Sequence, residues 1–235
     1  GPESWIYTAK GQALYNLGRY EEAISAFDEA LRLDPSDADA SRYRGSALRL
    51  IGRFEEAVTA LQLAIDLDIA QGRGDDAGTY AEQGEALRLL ARYREAAVAF
   101  QKAISLQEDY EWALARYGET LRVLDQNEEA IGYLEQAIKL DPQDSWAWGS
   151  LGAGRASLEQ HRSALEAFEK AISLAPDYLW AWFWKGSVLR QCKRYERAIE
   201  ALDRALQLDP LAGWVYAEKG IALRQQGDGG CERAL

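Results

Sequence analysis

Apolar residues recur in this chain at helical spacing, and the recurrence is itself periodic. In residues 4–37, Tyr7, Gly11 and Leu14 mark one face at intervals of three and four. Gly18-Arg19-Tyr20 then reads as a turn, and Ala23, Phe27 and Ala30 mark a second face before Asp34-Pro35. Two amphipathic helices joined by a glycine turn and stopped by proline make a helical hairpin. Glycines in the same frame fall at 11, 45, 84, 118, 152, 186 and 220, spaced 34, 39, 34, 34, 34 and 34. A fixed period of this length predicts a solenoid, in which each hairpin buries its apolar face only against its neighbours.

The frame predicts six full repeats, residues 4–37, 38–71, 77–110, 111–144, 145–178 and 179–212, and one partial repeat, 213–235. The five extra residues fall in a loop at about 70–76, Ala-Gln-Gly-Arg-Gly-Asp-Asp, which its glycines and charges mark as surface. The Arg73-Gly74-Asp75 string within it matches an integrin-binding tripeptide, but so short a motif is better read as a chance occurrence. In the partial repeat, one helix is expected to end near Gln226, because Gly227-Asp228-Gly229-Gly230 breaks the turn and residues 231–235 are too short for a second helix.

Each repeat carries small residues in two columns, Ala23, Ala57, Ala96, Ala130, Ala164, Ala198 and Ala30, Ala64, Ala103, Ala137, Ala171, Ala205. Between them stand Phe27, Leu61, Phe100, Leu134, Phe168 and Leu202, and prolines close units at 35, 142, 176 and 210. With the complete glycine column, this pattern resembles the tetratricopeptide repeat (TPR) family over nearly the whole chain. The departures are Ile69 and Glu108 in place of the closing proline, the insertion, and the incomplete last unit. The resemblance implies an all-α fold, a right-handed superhelical solenoid of antiparallel helix pairs with a concave groove lined by the first helix of each pair.

Composition narrows the chemistry. With 48% hydrophobic and 28% charged residues, the chain has enough apolar surface to fold. No apolar run approaches the ~20 residues of a membrane span. The formal charge of −11 opposes general nucleic-acid binding, which needs a basic face. Cys192 and Cys231 share no metal or redox spacing, and two unpatterned cysteines fit a reducing, cytoplasmic setting. Methionine is absent, and Gly1-Pro2 reads as a processing scar, with residues 1–3 a linker and the chain a piece of a longer protein.

Function must then lie in what varies between repeats. With the column glycine as position 8, positions 2, 5, 9 and 12 share one helix face, the face the TPR resemblance assigns to the groove. Position 2 reads Trp5, Asp39, Gly78, Trp112, Trp146, Trp180, Trp214, and position 12 reads Tyr15, Arg49, Arg88, Arg122, Ala156, Arg190, Arg224. Trp and Arg dominate interface energetics, so these columns are the candidate partner-binding residues. Packing at the unit junction is the competing role for the tryptophans. Arg88 and Arg122 have Glu85 and Glu119 three residues earlier, which neutralise them. Arg49, Arg190 and Arg224 lack such an acid and are expected to be the freer cations, unless acids of adjacent repeats bridge them. Repeat five presents Trp146, Gly149, Ala153 and Ala156 towards Trp180, Phe183 and Trp184 of repeat six, an arrangement that predicts an apolar hollow unless a tryptophan fills it.

Catalysis finds no support. His161 lies at an inter-helix turn without a Ser or Cys partner, no glycine loop cradles phosphate, and no cofactor is expected. The expected role is a non-enzymatic scaffold whose partner is a protein or peptide, with acidic or phosphorylated partners suited to the arginines. Two alternatives follow. The repeat style resembles arrays attached to bacterial STAND-type signalling ATPases, which implies a sensor role, and a Trp/Arg ladder can stack single-stranded nucleic acid, which the net charge opposes. The uncapped seventh repeat leaves an edge through which copies could self-associate.

Overall fold

The structure, a computed structural model, describes residues 3–232. The expected scar at Gly1-Pro2 and the last three residues of the expected terminal stub lie outside the described residues. Thirteen helices and no strand are present among the described residues: α1 (Ser4–Asn16), α2 (Tyr20–Leu33), α3 (Ala38–Leu50), α4 (Phe54–Ala70), α5 (Ala77–Leu89), α6 (Tyr93–Leu106), α7 (Glu111–Val123), α8 (Asn127–Leu140), α9 (Ser145–Ser157), α10 (His161–Leu174), α11 (Leu179–Gln191), α12 (Tyr195–Leu208) and α13 (Gly213–Glu232). They divide into two compact units, residues 1–124 and residues 125–235. In the first, α1/α2, α3/α4 and α5/α6 are antiparallel hairpins, and α7 packs on α6. In the second, α8 packs on α9, α9/α10 and α11/α12 are hairpins, and α13 packs on α12.

The glycine column explains how each hairpin closes. A Cβ placed on Gly11, Gly45, Gly84, Gly152 or Gly186 would fall within 2.9 Å of the Phe27, Leu61, Phe100, Phe168 or Leu202 side chain of the following helix. Those five large residues are fully buried, and the alanines that flank them are as well. Glycine on one helix therefore receives the large residue of the next, at a separation that any side chain would prevent.

The turns are equally regular. Position 15 holds a left-handed residue in six repeats: Gly18, Gly52, Ala91, Asp125, Glu159 and Lys193. After Gly18, Gly52, Ala91, Glu159 and Lys193 the backbone N–H of the next residue returns to the carbonyl five back, as in Arg19 to Leu14 at 2.9 Å, which satisfies the helix end. Helix starts are capped by Asp37, Asp76 and Asp144, whose carboxylates accept from backbone N–H groups of the first turn. Trp148 and Trp182 donate Nε1 to the carbonyls of Pro142 and Pro176, at 3.0 and 2.9 Å, and so tie a repeat to the proline that closes the one before it.

The insertion lengthens α4 to 17 residues, against 14 for α2 and α6. Its loop is pinned rather than presented. Asp68, 3% exposed, binds Arg42 at 2.6 Å, while the Arg73 Nε lies 2.9 Å from its other oxygen without good hydrogen-bond alignment. Arg73 also reaches Asp39, and Asp75 pairs with Lys102 at 2.6 Å. Both charged arms of the Arg-Gly-Asp string are thus engaged within the protein.

One expectation fails at the end of the chain. The helix does not stop before Gly227: α13 continues through Glu232, without a turn at Gly227-Asp228-Gly229-Gly230. Glycine permits left-handed backbone but does not impose it. With no second helix among the described residues to pack against, the α-conformation continues, since each added residue gains a hydrogen bond.

Candidate functional site

The candidate residues fall on the first helices of the repeats. In the second unit, α11 and α13 lie side by side and bring position 2 of consecutive repeats together. Trp180 and Trp214 stack, with ring centroids 4.9 Å apart and planes 23° from parallel. Phe183 meets Trp214 edge-on at 4.4 Å and Trp180 at 6.1 Å, and Trp184 meets Phe183 at 5.7 Å. Stacking of this kind contributes about 0.5–1.5 kcal/mol beyond area burial. The two indoles nonetheless remain 53% and 40% exposed. Phe183 is half-buried and rests on the core around Leu202, Leu206 and Val215, so the exposed pair stands on a fixed floor.

The other tryptophans differ. Trp112 in the first unit is partly buried against Ala81, Ala103 and Tyr110, meets Phe100 edge-on, and carries Arg116 over its ring at 5.9 Å. It is placed as a packing residue. Trp5 is exposed, and Trp146 is half-buried.

The arginines require a correction. Arg49 and Arg190 are not free cations. Arg49 donates to Glu82 at 2.6 Å and Arg190 to Glu218 at 2.7 Å, and all four side chains are largely buried. Burial alone would lower the Arg49 pKa, but the Glu82 hydrogen bond and charge outweigh it and raise it above the ordinary value. Burial first, and then the Glu82 charge, pushes the nearby Tyr15 phenol up. Arg88 and Arg122 pair with Glu85 and Glu119 at 2.7 Å, as their spacing predicts. Arg224 is exposed and has no ion pair among the described residues.

The pairings follow a rule between repeats that the same-helix spacing does not reveal. Position 12 of one repeat meets position 6 of the next. Tyr15 meets Tyr43 edge-on at 6.0 Å, Arg49 meets Glu82, Ala156 shares a core cluster with Trp184, and Arg190 meets Glu218. Arg88 faces a repeat with Arg116 at position 6, and turns instead to Glu85 on its own helix.

The expected hollow between repeats five and six is filled. The Tyr178 ring lies where a Cβ on Gly149 would be, 2.7 Å from that position. Trp184 packs against the cluster that contains Ala153, Ala156 and Val188. Small residues here make room for aromatic rings of the same protein.

A cleft that the tryptophan and arginine columns do not point to lies in the first unit. It measures about 860 Å3 and sits on the second-helix side, between α4, α5 and α6. Leu63 and Val98 line it and are exposed. The signal was available in the columns. Leu63 stands with Glu29, Lys102, Gln136, Lys170 and Arg204, and Val98 with Ser25, Thr59, Gly132, Glu166 and Glu200. Each is the one aliphatic residue in a polar or glycine column. No group of three or more metal-ligating side chains occurs among the described residues.

Family sequence models described as tetratricopeptide repeat match residues 8–74, 87–153 and 154–213. The chain belongs to the TPR family. No curated protein is significantly similar to it in sequence. Among solved structures, it resembles the TPR protein YrrB, which has an unusual peptide-binding site, at 25% identity and a TM-score of 0.63 over 74% of this chain and 88% of that one. It also resembles PilW, a widely conserved type IV pilus biogenesis factor, at 19% identity and a TM-score of 0.76 over 95% and 99% of the two chains. A third likeness is to the APC/C hetero-tetramer Cut9–Hcn1, at 19% identity and a TM-score of 0.80, covering 95% of this TPR chain and 43% of that one. At 19% identity these last two establish the solenoid fold. No described helix is long and apolar enough to cross a membrane.

Proposed function

We propose that this TPR array is a non-enzymatic interaction scaffold that holds a peptide or protein surface on the first-helix face, anchored at Trp180 and Trp214. The observation that carries this reading is the stacked indole pair, more than one-third exposed yet supported from below by Phe183. A rigid, amphipathic, half-exposed aromatic surface is what interface anchors are made of. The peptide-binding site of YrrB lends support at the level of the family.

The partner chemistry this favours is apolar or aromatic. An acidic or phosphorylated partner draws less support, because Arg49, Arg88, Arg122 and Arg190 already satisfy carboxylates of the protein. Arg224, about 15 Å along α13 from Trp214, is the exposed arginine of this column available to such a partner. The same pairing, with the charge of −11, argues against a polyphosphate backbone.

The test begins with a random peptide library selected on the intact chain. The peptides obtained are then titrated by tryptophan fluorescence against Trp180→Ala, Trp214→Ala and, as a control, Trp5→Ala. Each anchor substitution is expected to weaken binding about thirtyfold, the order of a hot-spot truncation, with little dependence on salt. Equal affinity in all three variants refutes the site. Binding that collapses on adding salt transfers the reading to the arginines.

A further inference from the structure

The cleft in the first unit has a counterpart in the second, built on the same positions but with different charges. It measures about 660 Å3 and lies between α10, α11 and α12. Leu165, Trp182, Leu189 and Ala201 pack into one apolar cluster at its base. We infer that this second cleft is a docking site for an acidic peptide segment of a partner protein, which sets carboxylates on Arg194 and Arg197 and an apolar side chain on the cluster beneath.

The repeat frame defines the ligand chemistry. Four repeats place an arginine at the turn before the second helix: Arg19, Arg53, Arg92 and Arg194. In the first three, a glutamate three residues on, Glu22, Glu56 or Glu95, accepts from both Nε and Nη2 of that arginine at 2.5–2.8 Å. In the fourth, the residue three on is Arg197, so two guanidinium groups stand where the other repeats hold an ion pair. Neither of them has an ion pair among the described residues. Arg204 adds a third cation, with its guanidinium 5.9 Å from the centre of the Trp182 ring and no acid of its own. Of the acids in the cleft, Glu169 is held by Lys185 at 3.1 Å and Asp203 by Lys219, which leaves Glu200 against three arginines. Like charges so placed repel one another, and a carboxylate between them relieves the repulsion.

The first-unit cleft carries the paired form of the same site. Glu95 stands there for Arg197, Lys102 for Arg204 and Tyr80 for Trp182. Arg92 is held by Glu95 and Lys102 by Asp75, so both cations are satisfied within the protein. An unpaired cationic rim above an apolar base, in a chain of net charge −11, selects an acidic segment that also carries an apolar side chain. The guanidinium fork takes a carboxylate through two parallel hydrogen bonds, the geometry it adopts in the other three repeats. The cleft shares no residue with the Trp180–Trp214 pair, and binding there does not depend on that site.

The test uses two capped peptides, Glu-Glu-Leu-Glu-Glu and Gln-Gln-Leu-Gln-Gln, titrated into the intact chain by calorimetry. The glutamate peptide is expected to bind at low salt and to weaken steadily between about 50 and 500 mM salt, because the arginines are exposed. The glutamine peptide is expected to bind at least about tenfold more weakly. Arg194→Ala should weaken the glutamate peptide about fivefold, the scale of one exposed ion pair. Arg197→Glu rebuilds the internal pair seen at Arg92 and Glu95, so it should abolish binding while the thermal midpoint holds or rises. Arg92→Ala and Trp214→Ala should leave the affinity unchanged. The cleft is overturned if the glutamate peptide does not bind at low salt, if the glutamine peptide binds as tightly, or if Arg197→Glu retains full affinity. A loss on Arg92→Ala equal to that on Arg194→Ala also overturns it, since charge spread over the whole surface is then the cause. Tighter binding of a single-stranded oligothymidylate than of the peptide overturns the acidic segment and assigns the arginines to a phosphate backbone.

Discussion

Replacing Gly152 with alanine tests the packing argument most directly, because helix propensity and packing act in opposite directions there. Alanine in place of a helical glycine gains about 1 kcal/mol of propensity. At Gly152 the added methyl falls 2.7, 2.8 and 2.9 Å from three atoms of the Phe168 ring, distances that real Cβ atoms do not occupy. Phe168 is fully buried between Ala164 and Ala171, so the ring cannot turn aside without moving α10. Overpacking of this kind costs about 1–3 kcal/mol, which leaves a net loss of about 1 kcal/mol. Gly132 in α8 is the matched control. It is exposed, its Cβ position is open, and Gly132→Ala should stabilise by about 0.5–1 kcal/mol. Urea unfolding followed by circular dichroism measures the difference. With a slope of about 2 kcal/mol/M, the two midpoints should separate by roughly 1 M, on opposite sides of the parent. A Gly152→Ala midpoint at or above the parent refutes the close-approach explanation of the column, and makes the periodic glycine a sequence habit without structural cause.

Three further outcomes are expected. Asp68→Ala leaves Arg42 and Arg73 without their shared carboxylate and should cost about 2 kcal/mol by urea unfolding, a figure reduced from that of a fully buried pair because both arginines reach solvent. A double-mutant cycle on Arg49 and Glu82 should give a coupling of about 1–2 kcal/mol, while the Arg92–Glu95 pair on the surface, cycled in the same way, should give a clearly smaller coupling that fades with salt. Lys193→Gly relieves a left-handed backbone at φ 58° and should raise the thermal midpoint, with about 1 kcal/mol available.

The solenoid was legible because its determinants are local and repeated: a glycine, two alanines and a large residue define a hairpin, and six copies make the pattern unmistakable. The chemistry of the first-helix face was legible only in part. Trp180 and Phe183 could be placed from their columns, and the arginines with an acid three residues earlier paired as expected. Arg49 and Arg190 could not be placed in that way. Their partners, Glu82 and Glu218, lie 33 and 28 residues away. No spacing within one helix predicts such a contact, which depends on how one hairpin is set against the next. The filled hollow has the same cause. Gly149 looks like a vacancy along its own helix, and Tyr178, from the end of the same repeat, occupies it.

The contact between position 12 and position 6 also bears on how such an array can change over time. A repeat protein is often pictured as beads of equal kind, free to be duplicated, deleted or reordered. Here adjacent repeats carry matched ends: Arg49 needs Glu82 after it, Arg190 needs Glu218, and Ala156 needs the bulk of Trp184. Deleting residues 38–76 would set Tyr15 before Glu82, a phenol beside an acid that had lost its cation, and a copy of repeat six placed after itself would set Arg190 against the indole of Trp184. The side chains at the joints thus act as a key that records repeat order, and an array of this kind can lengthen only by copying matched pairs or by altering both sides of a joint.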